Sequence, residues 1–145
     1  MSRRAVLPAF ALAPILLPTR AQAAAKKPNL KEVVAQIDAS TPKEERNAAG
    51  NKEDHFPKIA FEGSQGLGKK VVFTVPHENL APPDFSYIEF MWIKDADSGE
   101  ILTAKKFSAS DPNLVITAFG SSGQRLTAAS KDDKFGVWSG TFVVP

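Results

Sequence analysis

The chain has no cysteine anywhere in its 145 residues, and only two histidines. The first absence excludes disulfides and all thiolate chemistry, so the fold must be held by packing alone. The second leaves His55 and His77 as the whole imidazole supply for any metal or acid–base site. Long apolar runs are missing too. The only one, Ala5 to about Leu17, falls short of the roughly 20 apolar residues that span a bilayer, and Pro8, Pro14 and Pro18 break it. No internal repeat and no low-complexity tract is present.

The start of the chain reads as an export signal. Arg3 and Arg4 precede that short apolar run, and Ala21-Gln22-Ala23 supplies the small-x-small pattern that signal peptidase accepts. The string Ser2-Arg3-Arg4-Ala5-Val6-Leu7 resembles the twin-arginine consensus. Residues 1–23 are therefore expected to be a cleaved twin-arginine signal peptide, with the mature protein in the periplasm and no membrane attachment after cleavage. The whole chain carries 18 basic and 16 acidic residues, a net charge of +2. Removing Arg3, Arg4 and Arg20 leaves 15 bases against 16 acids, a net charge of −1. A nearly neutral domain without a clustered basic face does not predict a nucleic-acid partner.

Residues 24–52 read as a polar helical lead-in. Asn29 followed by Glu32 has capping-box spacing, and Val33, Val34 and Ile37 form one apolar stripe. Thr41-Pro42-Lys43-Glu44 offers a second helix start, with Gly50 as a stop. From residue 53 to 145 the hydrophobic period changes to two. Lys58–Phe61, Lys69–Val75, Tyr87–Lys94, Ile101–Phe107, Leu114–Phe119, Arg125–Ser130 and Val137–Val144 read as strands separated by Gly, Asp, Asn and Pro turns. In Tyr87–Lys94 the alternation sets Ile88, Phe90 and Trp92 against Glu89, Met91 and Ile93. About seven short strands at this spacing predict an all-β, immunoglobulin-like antiparallel sandwich.

The two histidines fall at strand edges, where one end of a sandwich brings separate loops together. Their surroundings are Glu53-Asp54-His55-Phe56-Pro57-Lys58-Ile59, then Val75-Pro76-His77-Glu78-Asn79 and a Pro-rich loop into Tyr87-Ile88-Glu89-Phe90, then Phe135-Gly136-Val137-Trp138. In order and spacing these resemble the desulfoferrodoxin, or superoxide reductase, family over roughly residues 52–145. That resemblance implies an immunoglobulin-like domain with one iron on four histidines and a cysteine thiolate, reducing superoxide to peroxide with electrons from a donor. Carried over residue by residue, Glu53 matches the opening glutamate, and His55 and His77 match the first two histidine ligands. Asp54 stands for a lysine that attracts superoxide. The third histidine falls near Ser86, the last at Phe135, and the cysteine at Asp132, so two of five ligands remain.

The expectation is therefore a converted two-His carboxylate centre built from His55, His77, Asp132 and Glu53. Such a set suits iron(II), manganese(II) or zinc(II). Two alternatives remain open: a non-catalytic periplasmic immunoglobulin-like binding module, and a companion subunit of the sulfur-oxidation type. The ending Thr141-Phe142-Val143-Val144-Pro145 lacks the cysteine arm of a sulfur carrier itself.

Overall fold

The computed structural model describes residues 29–42, 46–47, 53–63 and 68–145. The expected signal peptide, Gly50, and Lys43 and Glu44 of the expected second helix start lie outside these. Within them, helix α1 (Leu30–Ser40) and a short 3-10 turn at Glu53–His55 precede seven strands. These are β1 (Lys58–Glu62), β2 (Lys69–Thr74), β3 (Ile88–Asp95), β4 (Ile101–Lys106), β5 (Val115–Gly120), β6 (Arg125–Asp132) and β7 (Gly136–Val143). Every pairing is antiparallel. One sheet has the order β1-β2-β5 and the other β4-β3-β6-β7. The expected all-β sandwich of seven strands is what forms.

Period-two patterning builds the space between the sheets. Val71 and Phe73 of β2 and Ile116 and Ala118 of β5 point inward and meet Met91, Ile93, Leu126 and Ala128 of the other sheet. The outer positions of β5 remain exposed. Strands β3 and β6 depart from this half-and-half burial, because α1 covers the outer face of their sheet. Val34 is fully buried there against Trp92, Ala129, Val137 and Ile101, with Leu30 and Ile37 packed alongside. Burial of a valine side chain of this kind stabilises by about 1.5–3 kcal/mol.

The register of β3 differs from simple alternation. Its pairing with β6 shifts between Ile88 and Phe90, a β-bulge at Glu89. The bulge puts Ile88 on the same side as Met91 and Ile93 in the main core, while Phe90 joins Trp92 beneath α1. The expected grouping of Ile88 with Phe90 and Trp92 fails for this reason.

Helix α1 begins as its capping residues dictate. Asn29 Oδ1 accepts the N–H of Glu32 at 2.9 Å, and Asn29 Nδ2 donates to Glu32 Oε1 at 2.9 Å. Thr41, expected to start a second helix, ends the first: its N–H and hydroxyl both donate to the Ile37 carbonyl. A β-branched residue in extended conformation at the cap stops the helix and satisfies an orphan carbonyl.

Gly68 enters β2 at φ +87°, where a Cβ would lie 2.4 Å from the Gly120 carbonyl oxygen. Both the backbone angle and the contact oppose any side chain. Gly68→Ala is expected to cost at least about 1–3 kcal/mol, read as a lower chemical-denaturation midpoint at unchanged slope. An unchanged midpoint would show that β2 and β5 part readily at this end.

Candidate metal centre

The inner face of the four-stranded sheet turns polar at one end. Along β6, inward positions run Leu126, Ala128, Ser130 and Asp132, so alternation delivers a carboxylate to the bottom of the core. Opposite Ser130, the register of β7 places Trp138. The 3-10 turn before β1 drops His55 into this pocket, and the segment leaving β2 supplies His77. His55 is 1 % exposed and Asp132 1 %.

These groups form one hydrogen-bonded chain. Asp132 Oδ2 lies 2.7 Å from His55 Nε2, and Asp54 Oδ1 lies 2.9 Å from His55 Nδ1. The other oxygen of Asp54 lies 2.7 Å from His77 Nδ1, and His77 Nε2 donates to the Ser86 carbonyl at 3.1 Å. The His55 ring is held between His77 and Trp138, each with its ring centre 4.3 Å away, and Phe135 stands edge-on at 6.4 Å. Ser130 Oγ donates to the His55 carbonyl at 3.2 Å. The remaining oxygen of Asp132 accepts the N–H groups of Lys134 at 2.7 Å and Phe135 at 3.3 Å.

The electrostatics follow from this wiring. Carboxylates only accept hydrogen bonds, so both nitrogens of His55 must donate and its ring is an imidazolium. Burial pushes His55 down, but the hydrogen bonds and charges of Asp132 and Asp54 overcome it, and its pKa rises. Burial pushes Asp132 up, yet His55 and the Lys134 N–H more than offset this and hold it at about 2. Asp54, half-exposed, is lowered in the same way: desolvation is outweighed by the bonds from His77 and His55.

The four expected site residues are placed unequally. His55 and His77 lie side by side, and Asp132 reaches His55. Glu53 is exposed in the 3-10 turn, and the carboxylate that joins the two imidazoles is that of its neighbour Asp54. Ligand atoms of Asp54, His55 and His77 all lie within 4.8 Å of one another. Asp132 sits on the opposite ring nitrogen of His55. Ser86, the residue aligned with a missing histidine, is fully buried beside His77, and its hydroxyl helps to hold the Asp132 carboxyl down without making a hydrogen bond of regular geometry. Sequence reasoning missed Asp54 as a site residue because it was read as a replacement for a lysine. The signal lay in its adjacency: a 3-10 turn lets residues 54 and 55 meet on one side.

No protein-family model matches the chain, and no curated protein matches it. Solved structures do. A superoxide reductase in the oxidized state is 18 % identical with a TM-score of 0.51, the match covering 66 % of this chain and 92 % of that one. A hypothetical protein from Pyrococcus horikoshii OT3 is 20 % identical with a TM-score of 0.50, covering 66 % and 91 %. The superoxide reductase (neelaredoxin) of Archaeoglobus fulgidus in the reduced form is 21 % identical with a TM-score of 0.49, covering 64 % and 91 %. The chain has a superoxide-reductase-like fold.

Proposed function

We propose that this is an exported metal-binding protein in which a superoxide-reductase-like sandwich carries an altered mononuclear centre on His55, His77 and Asp54, with Asp132 supporting His55. One observation carries the reading. The only two histidines of the chain meet around one carboxylate, with all three ligand atoms within 4.8 Å.

The donor set decides which metal chemistry fits. The five-ligand centre implied by the family resemblance does not: there is no cysteine, and Ser86, Asp132 and Phe135 stand where two histidines and the thiolate would. Superoxide belongs to the reductases whose fold this chain shares, and these residues support no step of its reduction. A two-His carboxylate set fits iron(II), manganese(II) or zinc(II). Charge supports the same reading. Asp54 and Asp132 bring two negative charges to the imidazole pair, and a divalent cation that displaces the His55 proton balances them.

Metal analysis of mature protein purified from the periplasm tests this. The expected result is one equivalent of divalent metal per chain, lost in the His55→Ala/His77→Ala double variant. Metal-free protein after iron-, manganese- and zinc-replete expression overturns it. That outcome would favour a second reading, a metal-free binding module. The specific support for it is that each imidazole nitrogen already faces a carboxylate or carbonyl oxygen.

Export is tested separately. An Arg3→Lys/Arg4→Lys variant is expected to leave the protein uncleaved in the cytoplasm, measured by cell fractionation and mass. Unchanged periplasmic yield would point to the general secretory route instead.

A further inference from the structure

At the far end of the same four-stranded sheet, on its outer face, lies a second polar feature. The β3 positions Ile88 and Lys94 pair with Asp132 and Thr127 respectively. Six residues of strand separate these ends by about 20 Å. A cavity of about 500 Å³ opens there, between the last turn of α1 and strands β3, β6 and β7. Lys94, Arg46 and Arg125 line it, together with the hydroxyls of Thr127 and Thr141 and the carboxylate of Asp38.

From this arrangement we infer a binding site for a small multivalent oxyanion of the phosphate or sulfate class. Three cations line the cavity against one carboxylate. Asp38 Oδ2 accepts from Lys94 Nζ at 2.5 Å and Oδ1 from Arg46 Nη1 at 3.1 Å. The protein's own oxyanion thus already shows where these cations converge. Asp38 offsets one of the three positive charges and Asp97, paired with Arg125, a second, so one positive charge remains in excess for an added anion.

Anchoring of the helix accounts for part of the cluster but not for all of it. A carboxylate in the last turn of a helix is opposed by the helix dipole, and Lys94 and Arg46 offset that. This explains neither Arg125 nor the hydroxyls. Arg125 uses Nη1 on Asp97 at 2.7 Å, which leaves the rest of its donor fork uncommitted by that bond. Thr127 and Thr141 bond one another at 2.9 Å; whichever hydroxyl donates, the other keeps a hydrogen for a further acceptor. Ammonium, guanidinium and hydroxyl donors around one cavity match an anion with three or more oxygens better than they match a single carboxylate.

The test is calorimetric and amide-shift titration of the full mature chain with inorganic phosphate, with sulfate and with methyl phosphate, each against sodium chloride at equal ionic strength. Saturable one-to-one binding is expected, with shifts centred on residues 94, 125, 127 and 141. Arg125→Gln changes an exposed side chain and should leave the melting temperature close to wild type while weakening binding at least about tenfold, as loss of a charge-assisted bond implies. Asp38→Asn removes the competing carboxylate and should tighten binding, even if the helix end loosens. Tight binding of methyl phosphate assigns the site to a phosphate monoester, and binding of the free ions alone assigns it to an inorganic anion. A response no different from chloride overturns the inference. So does undiminished binding in Arg125→Gln, or weaker binding in a folded Asp38→Asn variant.

Discussion

An Asp132→Ala variant of the metal-free protein is expected to lose about 3–5 kcal/mol of stability, the usual cost of leaving one partner of a buried ion pair alone. His55 and Asp132 are each 1 % exposed, so solvent screens little of their 2.7 Å contact. Truncation strands the His55 imidazolium with an unmet N–H and also deprives the Lys134 and Phe135 amides of their acceptor. Asp132→Asn should cost less. Its carbonyl can keep the two amides while its NH2 faces a neutral His55, which accepts at Nε2 and still donates from Nδ1 to Asp54. The pH dependence separates this electrostatic cost from simple loss of packing. Asp132 is depressed on folding, so its contribution is present above its ordinary value of 3.8 and is lost as pH falls towards about 2. His55 is raised on folding, so its contribution is complete below 6.5 and is lost as pH rises through its folded value. The stability difference between wild type and Asp132→Ala should therefore peak between about pH 4 and 6.5. Denaturant melts across pH 3–9 measure it. A difference that stays flat over that range would mean that the pair acts through packing and not through charge.

Strand legibility followed burial. β2 and β5 face water on one side and the core on the other, so Val71, Phe73, Ile116 and Ala118 announce themselves by alternation. β3 and β6 are covered on both faces, and there alternation carries less information: Met91, Trp92 and Ile93 are all fully buried. A bulge at Glu89 moved Ile88 to the other face, and nothing in the local pattern marks a bulge. The helix was legible at its start, where Asn29 and Glu32 are neighbours in sequence. At its end Thr41 caps the helix, a role that threonine before proline suits as well as a helix start. For the site, sequence supplied the two histidines and Asp132 through their positions in an ordered set of motifs. It could not supply the wiring. Whether Glu53 or Asp54 meets an imidazole depends on one turn of 3-10 geometry. That Trp138 packs against His55 depends on the β6–β7 register, which pairs Ser130 with Trp138 across 8 residues of sequence.

The same wiring predicts how metal and protons compete, and the effect is large. A ligating imidazolium must give up its proton to a metal, so binding at His55 releases a proton and weakens as pH falls. At pH 5 the metal-free chain of hydrogen bonds is complete, with His55 charged between Asp54 and Asp132, and a cation must displace what already balances those carboxylates. As pH rises through the raised value of His55, that balance is lost. The two carboxylates then lack a counter-charge that a divalent ion restores. Zinc(II) at about 100 times its dissociation constant should stabilise the fold by about 2.7 kcal/mol. At the same free concentration this gain should shrink towards pH 5, by up to about tenfold in affinity per pH unit where the His55 proton must leave. For a domain of this size such a gain at pH 8 raises the melting temperature by roughly 5–15 °C. Thermal melts with and without zinc(II) at pH 5, 6.5 and 8 give the comparison, with His55→Ala/His77→Ala as the control. A zinc-induced shift of equal size at pH 5 and pH 8, or one that survives in the double variant, would place the metal elsewhere on the chain and leave the His–Asp network as a structural element filled by protons.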